Sequence, residues 1–216
     1  MPSLPVPPLL VVTDRRQAVR PLAEIAAEVV AGGCRWISLR EKDLAPAEQV
    51  AAARRLAGIA APAGALVTLH GDPALAVAAG LRGVHLPAGG DPAAARRLLG
   101  PAALIGCSVH SPAEAGTAAA AGADYVILGP VFPTASKPGY GPALGLEGLA
   151  AVARRLPVPV VAIGGIGPDD VRPCIGAGAA GIAVMGPLMR SPHPAADAEH
   201  LLRGLRGSAK RRPDPG

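Results

Sequence analysis

Short runs of apolar, β-branched residues alternate along this chain with longer Ala-rich stretches whose apolar positions recur every three to four residues. The first pattern reads as buried strand and the second as amphipathic helix. Strand-like runs fall at 9–14, 35–41, 65–70, 83–87, 104–110, 124–131, 158–164 and 181–185. Helical patterning predicts segments over 17–32, 46–59, 73–80, 91–100, from 111 onward, 146–156, 168–178 and 194–205. In the first helical segment Val19, Leu22, Ile25, Ala26 and Val29 share a face, and Gly32-Gly33 ends it. Asp91 before Pro92, and Ser111 before Pro112 with Glu114 beyond, have the spacing of helix N-caps.

Strict alternation of strand and helix argues for a parallel sheet. The strands are continuous apolar runs, as expected where crossover helices cover them. Eight units of about 25 residues predict an α/β fold, a single (β/α)8 TIM barrel. A doubly wound open sheet of this size would more often carry five or six strands. Expected boundaries are an N-terminal extension over 1–8, the barrel over 9–206, and a disordered basic tail over 207–216 that holds Lys210, Arg211 and Arg212.

The length of 216 residues suits one large core and is short for two domains. Half of the residues are hydrophobic and 17% are charged, which excludes a disordered chain. With one Trp, two Tyr and one Phe, few rings are available to stack on bases, which argues against a nucleic-acid partner. The net charge of +5 comes partly from the tail and suits a phosphate-ester ligand. Cys34, Cys107 and Cys174 are widely spaced, as in a reduced cytoplasmic protein. The first residues lack the pattern of a signal peptide, and no run reaches the ~18 apolar residues of a membrane span. Small barrels often pair, so a homodimer is left open.

Active residues of such barrels lie at the carboxyl ends of strands, and the polar residues collect there. Gly164, Gly165 and Gly186 follow the seventh and eighth strands, where backbone amides and nearby helix N-termini can meet a phosphate. Arg40 and Lys42, two apart after strand two, point the same way and can converge with Lys137 on a multiply charged anion. Thr134 and Ser136 share the loop of Lys137. Ser108 can hydrogen-bond an anionic oxygen. His110 and His70 end strands and are candidate acid/base or contact residues, whereas His85 reads as a satisfied core histidine.

LREKD (39–43), GVHLP (83–87), SVHS (108–111), GADYVILGPVFPTASKPG (122–139), LGLEGL (144–149) and VVAIGGI (160–166) occur in one order. Over roughly residues 9–205 the chain resembles the thiamine phosphate synthase / thiazole tautomerase (TenI-type) superfamily. The resemblance implies that a synthase would ionise an aminopyrimidine pyrophosphate with Mg2+ and let the thiazole phosphate nitrogen capture the cation. Arg40, Lys42, Thr134, Ser136 and Lys137 would then grip pyrophosphate. Gly164, Gly165 and Gly186 would hold the thiazole phosphate, and Ser108 matches an active-site serine. The family's strand-two Gln is Ser38 here. Its Asn-Asp after strand three is His70-Gly71, and its Gly-Gln-x-Asp run is Pro87-Ala88-Gly89-Gly90. Only Asp72 and Asp91 remain for a shifted Mg2+ site. VHLPAG and SVHS look more like the TenI branch, whose proton shift on a thiazole carboxylate phosphate needs no metal. That branch's catalytic histidine is Pro130 here, which leaves His110 or His70 as the base. The favoured expectation is therefore a TenI-like thiazole tautomerase without cofactor. The alternatives are a thiamine phosphate synthase using Mg2+ and a non-catalytic binder of thiazole phosphate.

Overall fold

Each strand-like run forms a strand in the computed structural model, which describes residues 2–134 and 143–208. The strands are β1 (Leu9–Val12), β2 (Trp36–Leu39), β3 (Leu66–His70), β4 (Gly83–Leu86), β5 (Leu104–Val109), β6 (Tyr125–Leu128), β7 (Val160–Ile163) and β8 (Gly181–Val184). Each pairs in parallel with its successor, and β8 pairs with β1 to close the barrel. The predicted (β/α)8 TIM barrel is the observed fold. Ser136, Lys137 and the basic tail fall outside the described residues.

Register decides which side chains fill the barrel, because in-register neighbours of a parallel pair face the same way. Ser38 aligns with Val12 and Thr68, His70 with His85, His85 with Gly106, and Gly106 with Tyr125. Trp36 and Tyr125 meet edge to face near the floor, with ring centroids 4.9 Å apart. Above them the interior turns polar through Ser38, Thr68, His85 and Ser108, so the core grades from aromatic floor to hydrogen-bonding mouth.

The helices are α1 (Leu22–Ala31), α2 (Pro46–Ala60), α3 (Pro73–Ala78), α4 (Pro92–Leu99), α5 (Pro112–Ala120), α6 (Gly145–Ala153), α7 (Val171–Gly176), α8 (Gly186–Met189) and α9 (Pro194–Ser208). Helix α1 starts five residues later than the pattern predicts, because Pro21 is its N-cap and a residue before proline is steered away from helical angles. Val19, placed by periodicity on the buried face, is instead 58% exposed. Helix α8 is an addition the pattern does not reveal. Asp91 and Ser111 do cap α4 and α5 with their side chains. The three cysteines are buried, and burial pushes each thiol up to about 11. None is therefore poised as a nucleophilic thiolate at neutral pH.

Candidate active site

At the β1–β2 rim, LREKD divides into two acidic locks and two cations. Buried Glu41 accepts from the Thr13 hydroxyl at 2.7 Å and from the Arg15 amide at 3.2 and 3.1 Å. Thr13 in turn accepts from the Arg40 amide at 2.9 Å. Burial raises the Glu41 pKa, and the hydrogen bonds from Thr13 and Arg15 oppose that rise. Asp43 takes a 2.6 Å bond from Arg15, which lowers its pKa. Arg40 and Lys42 remain. The strand period places Arg40 on the inward face with Ser38, and its buried Nε has no hydrogen-bond partner among the described residues. The Lys42 pKa is lowered, first by burial and then by the positive charge of Arg40.

Across β3, β4 and β5 runs a histidine-centred cluster. The imidazole of His85 places Nδ1 3.2 Å from the Tyr125 hydroxyl and Nε2 2.9 Å from Ser108 Oγ. His70 covers it, with ring centroids 5.2 Å apart. His85 is 2% exposed and satisfied, as the sequence reading holds.

A pocket of about 300 Å3 lies at the carboxyl ends of β5–β8. His110, Thr134, Gly164, Gly165, Gly186 and Arg190 line it, with Pro130 in the wall. His110 Nδ1 lies 2.6 Å from the Gly129 carbonyl oxygen, which fixes the ring against β6. Gly164 and Gly165 have φ of 102° and 65°, and added Cβ atoms would come within 2.7 Å of Pro130 and 2.4 Å of the Pro133 oxygen. These glycines therefore let the β6 loop close onto β7. The Val131 and Phe132 amides donate to the Ile163 and Gly164 oxygens at 2.8 and 3.0 Å. The expected helix N-termini contribute less than predicted: α7 has six residues and α8 four, too short for a substantial macrodipole.

The site thus gathers Thr134, the three glycines and His110 in one pocket, while Ser108 and His70 join the His85 cluster and Arg40 and Lys42 stand at the β2 rim. Arg190 is absent from the sequence reading. It follows α8 by one residue and bonds Gln17 Oε1, whose amide donates to Asp14 at 2.7 Å. Its position four residues past Gly186 is the one available signal. Glu41 as lock and Tyr125 as a partner of His85 also go unread.

Among the described residues the carboxylates the resemblance points to do not fit a magnesium site. Mg2+ is usually held by one or two carboxylates with near-octahedral oxygen geometry. Asp72 and Asp91 are exposed helix caps, accepting from the Ala74 and Ala94 amides at 2.8 and 2.9 Å. Among the described residues no group of three or more His, Cys, Asp or Glu is placed to hold a metal. Residues 135–142, ASKPGYGP, add no carboxylate. Nor is any helix of the described residues long and apolar enough to cross a membrane.

Comparison with known proteins settles the lineage. The family model described as thiamine monophosphate synthase matches residues 9–188. The thiamine-phosphate synthase of a Roseiflexus species is 39% identical over 201 residues, covering 92% of this chain and 85% of that protein. That of Moorella thermoacetica is 37% identical over 193 residues, covering 89% and 92%. The solved thiamine phosphate pyrophosphorylase of Pyrococcus furiosus is 33% identical, covers 93% of this chain and 96% of its own, and superposes with a TM-score of 0.83. These names overturn the expectation of a TenI-like thiazole tautomerase, and nothing among them favours the TenI branch. The local likeness of VHLPAG and SVHS misleads because it weighs two short strand ends against the whole barrel. With the proton shift goes the need for His110 or His70 as its base, and the chain belongs to the thiamine monophosphate synthase family.

Proposed function

We propose that this chain is a transferase of the thiamine-phosphate synthase type, which joins a pyrimidine carried as its pyrophosphate ester to a thiazole phosphate. The C–O bond to pyrophosphate breaks, and the thiazole nitrogen supplies the pair for a new C–N bond. The products are thiamine phosphate and pyrophosphate. The observation that carries this reading is the glycine-lined pocket at β7 and β8 with Arg190 at its rim. Gly164, Gly165 and Gly186 let backbone amides approach a phosphate, and Arg190 adds a charge-assisted bond.

Arg40 and Lys42 receive the pyrophosphate end and stabilise the charge that grows on it as the bond breaks. Thr134 lines the glycine pocket and can hydrogen-bond a phosphate there, while the pyrophosphate roles that the resemblance implies for Ser136 and Lys137 fall outside the described residues. Ser108 supports the leaving oxygen or the pyrimidine from the β5 wall. The family's pattern implies magnesium, but Asp72 and Asp91, the described carboxylates nearest that pattern, do not fit that ion, and the steps assigned here run through the chain's cations.

The test is to incubate the purified protein with hydroxymethylpyrimidine pyrophosphate and thiazole phosphate, with and without added Mg2+, and to follow thiamine phosphate. Sustained turnover in either condition supports the reading. Failure to form thiamine phosphate in both overturns it.

A further inference from the structure

Tyr125 has no access to solvent, and its ring lies over Gly106, where an added Cβ would come within 2.0 Å of the ring. This hollow in β5 holds the phenol directly beneath His85. Among the described residues the Tyr125 hydroxyl has one hydrogen-bond partner, His85 Nδ1 at 3.2 Å. A buried O–H with no acceptor costs about 1–3 kcal/mol, so the phenol donates to that nitrogen. Burial raises the Tyr125 pKa well above its ordinary value, which keeps this proton in place at neutral pH and beyond. An imidazole that accepts at Nδ1 carries its own proton on Nε2. That nitrogen lies 2.9 Å from Ser108 Oγ and donates to it. Ser108 is half-buried at the mouth. With one lone pair engaged from below, its own hydrogen is directed to whatever sits above.

We infer that Tyr125 and His85 are positioning residues, forming a one-way hydrogen-bond chain that fixes Ser108 as a donor toward the bound ligand. The atom that meets Ser108 is accordingly an acceptor, such as a phosphoryl oxygen or an aromatic ring nitrogen, and a donor group there is disfavoured. The polarity of the chain follows from the fold alone. Its use on a pyrimidine pyrophosphate rests on the function proposed above.

The polarity is read directly by long-range 1H–15N correlation spectra of the full-length protein labelled with 15N-histidine. A His85→Asn variant assigns the signals. The expected result is the Nε2–H tautomer of His85 in the unaltered protein, and a shift toward a tautomer mixture in Tyr125→Phe, whose ring fills the same hollow. An Nδ1–H tautomer in the unaltered protein, or identical His85 signals in the two, overturns the inference. Kinetics test the link to Ser108. Tyr125→Phe should lower kcat about 10-fold with KM within about 2-fold, and should have little further effect on a Ser108→Ala background, because residues acting through one another are not additive. Equal losses on both backgrounds would show that Tyr125 does not act through Ser108. Absence of turnover in the unaltered protein removes the synthase reading, and the tautomer measurement then decides the inference by itself.

Discussion

Lys42 shows how one residue's setting becomes a measurable property. Burial, with a smaller contribution from Arg40, disfavours its charged form and lowers its pKa below the ordinary 10.5. Anion binding requires that charge. As pH rises, the free protein loses the Lys42 proton earlier than a solvated lysine would, and affinity for an anion falls with it. Inorganic pyrophosphate affinity, measured by calorimetry, should therefore start to decline below pH 10.5, and Lys42→Met should bind more weakly and lack that decline. A profile identical in the two proteins would remove Lys42 from the site. The presence of both cations is legible in LREKD, but β2 ends at Leu39 and Lys42 lies in the turn beyond it, so strand alternation does not fix its direction. The roles of their neighbours are not legible: Glu41 and Asp43 look like further rim charges, and only the partners Thr13, Arg15 and Arg16 reveal them as locks. Arg190 is illegible for a related reason, since its use depends on Gln17, far away in sequence.

At the scale of elements, the β1 and β2 ends are one unit joined through Glu41, which accepts from a side chain and a backbone amide while 3% exposed. Truncation to alanine leaves buried Thr13 Oγ1 without its acceptor, at roughly 1–3 kcal/mol, whereas the Arg15 amide, on an exposed residue, can turn to water at smaller cost. Glu41→Ala should lower stability by about 1–3 kcal/mol in denaturant unfolding, and should loosen the loop that leads from β1 to α1. Glu41→Gln keeps one acceptor oxygen and should lose less. Equal stability of the alanine variant and the parent would mean the lock is ornamental. Strand existence and order are readable because apolar runs bounded by Gly and Pro leave few alternatives. Boundaries are less so. DYVILGPV reads as strand to 131, yet β6 spans Tyr125–Leu128. Asp124 instead bonds Arg96 and the Ile105 amide, both at 2.7 Å. The four-residue α8 has too little periodicity to register in any sequence window.

For the whole molecule, barrel closure sets how far apart the two proposed anion positions stand. β2 carries the cation pair and β7 the glycine pair, and β8 and β1 lie between them. Strand spacing in an eight-stranded barrel puts such strands roughly 13 Å apart. That exceeds the Debye length of about 8 Å at physiological salt, so two bound anions repel each other only weakly. Groups farther apart than about 7–10 Å without shared partners behave additively. Arg40→Ala should therefore weaken inorganic pyrophosphate about 10- to 100-fold, the range of a lost charge-assisted bond, and leave thiazole phosphate nearly unchanged. Arg190→Ala should do the reverse, and the double variant should show both losses undiminished. Such independence suits a two-substrate condensation, in which one wall holds the departing pyrophosphate and the other the incoming phosphate, with the bond forming between them. A single variant that weakened both ligands equally would instead place both anions on one shared site, and the two-walled arrangement of the mouth would have to be abandoned.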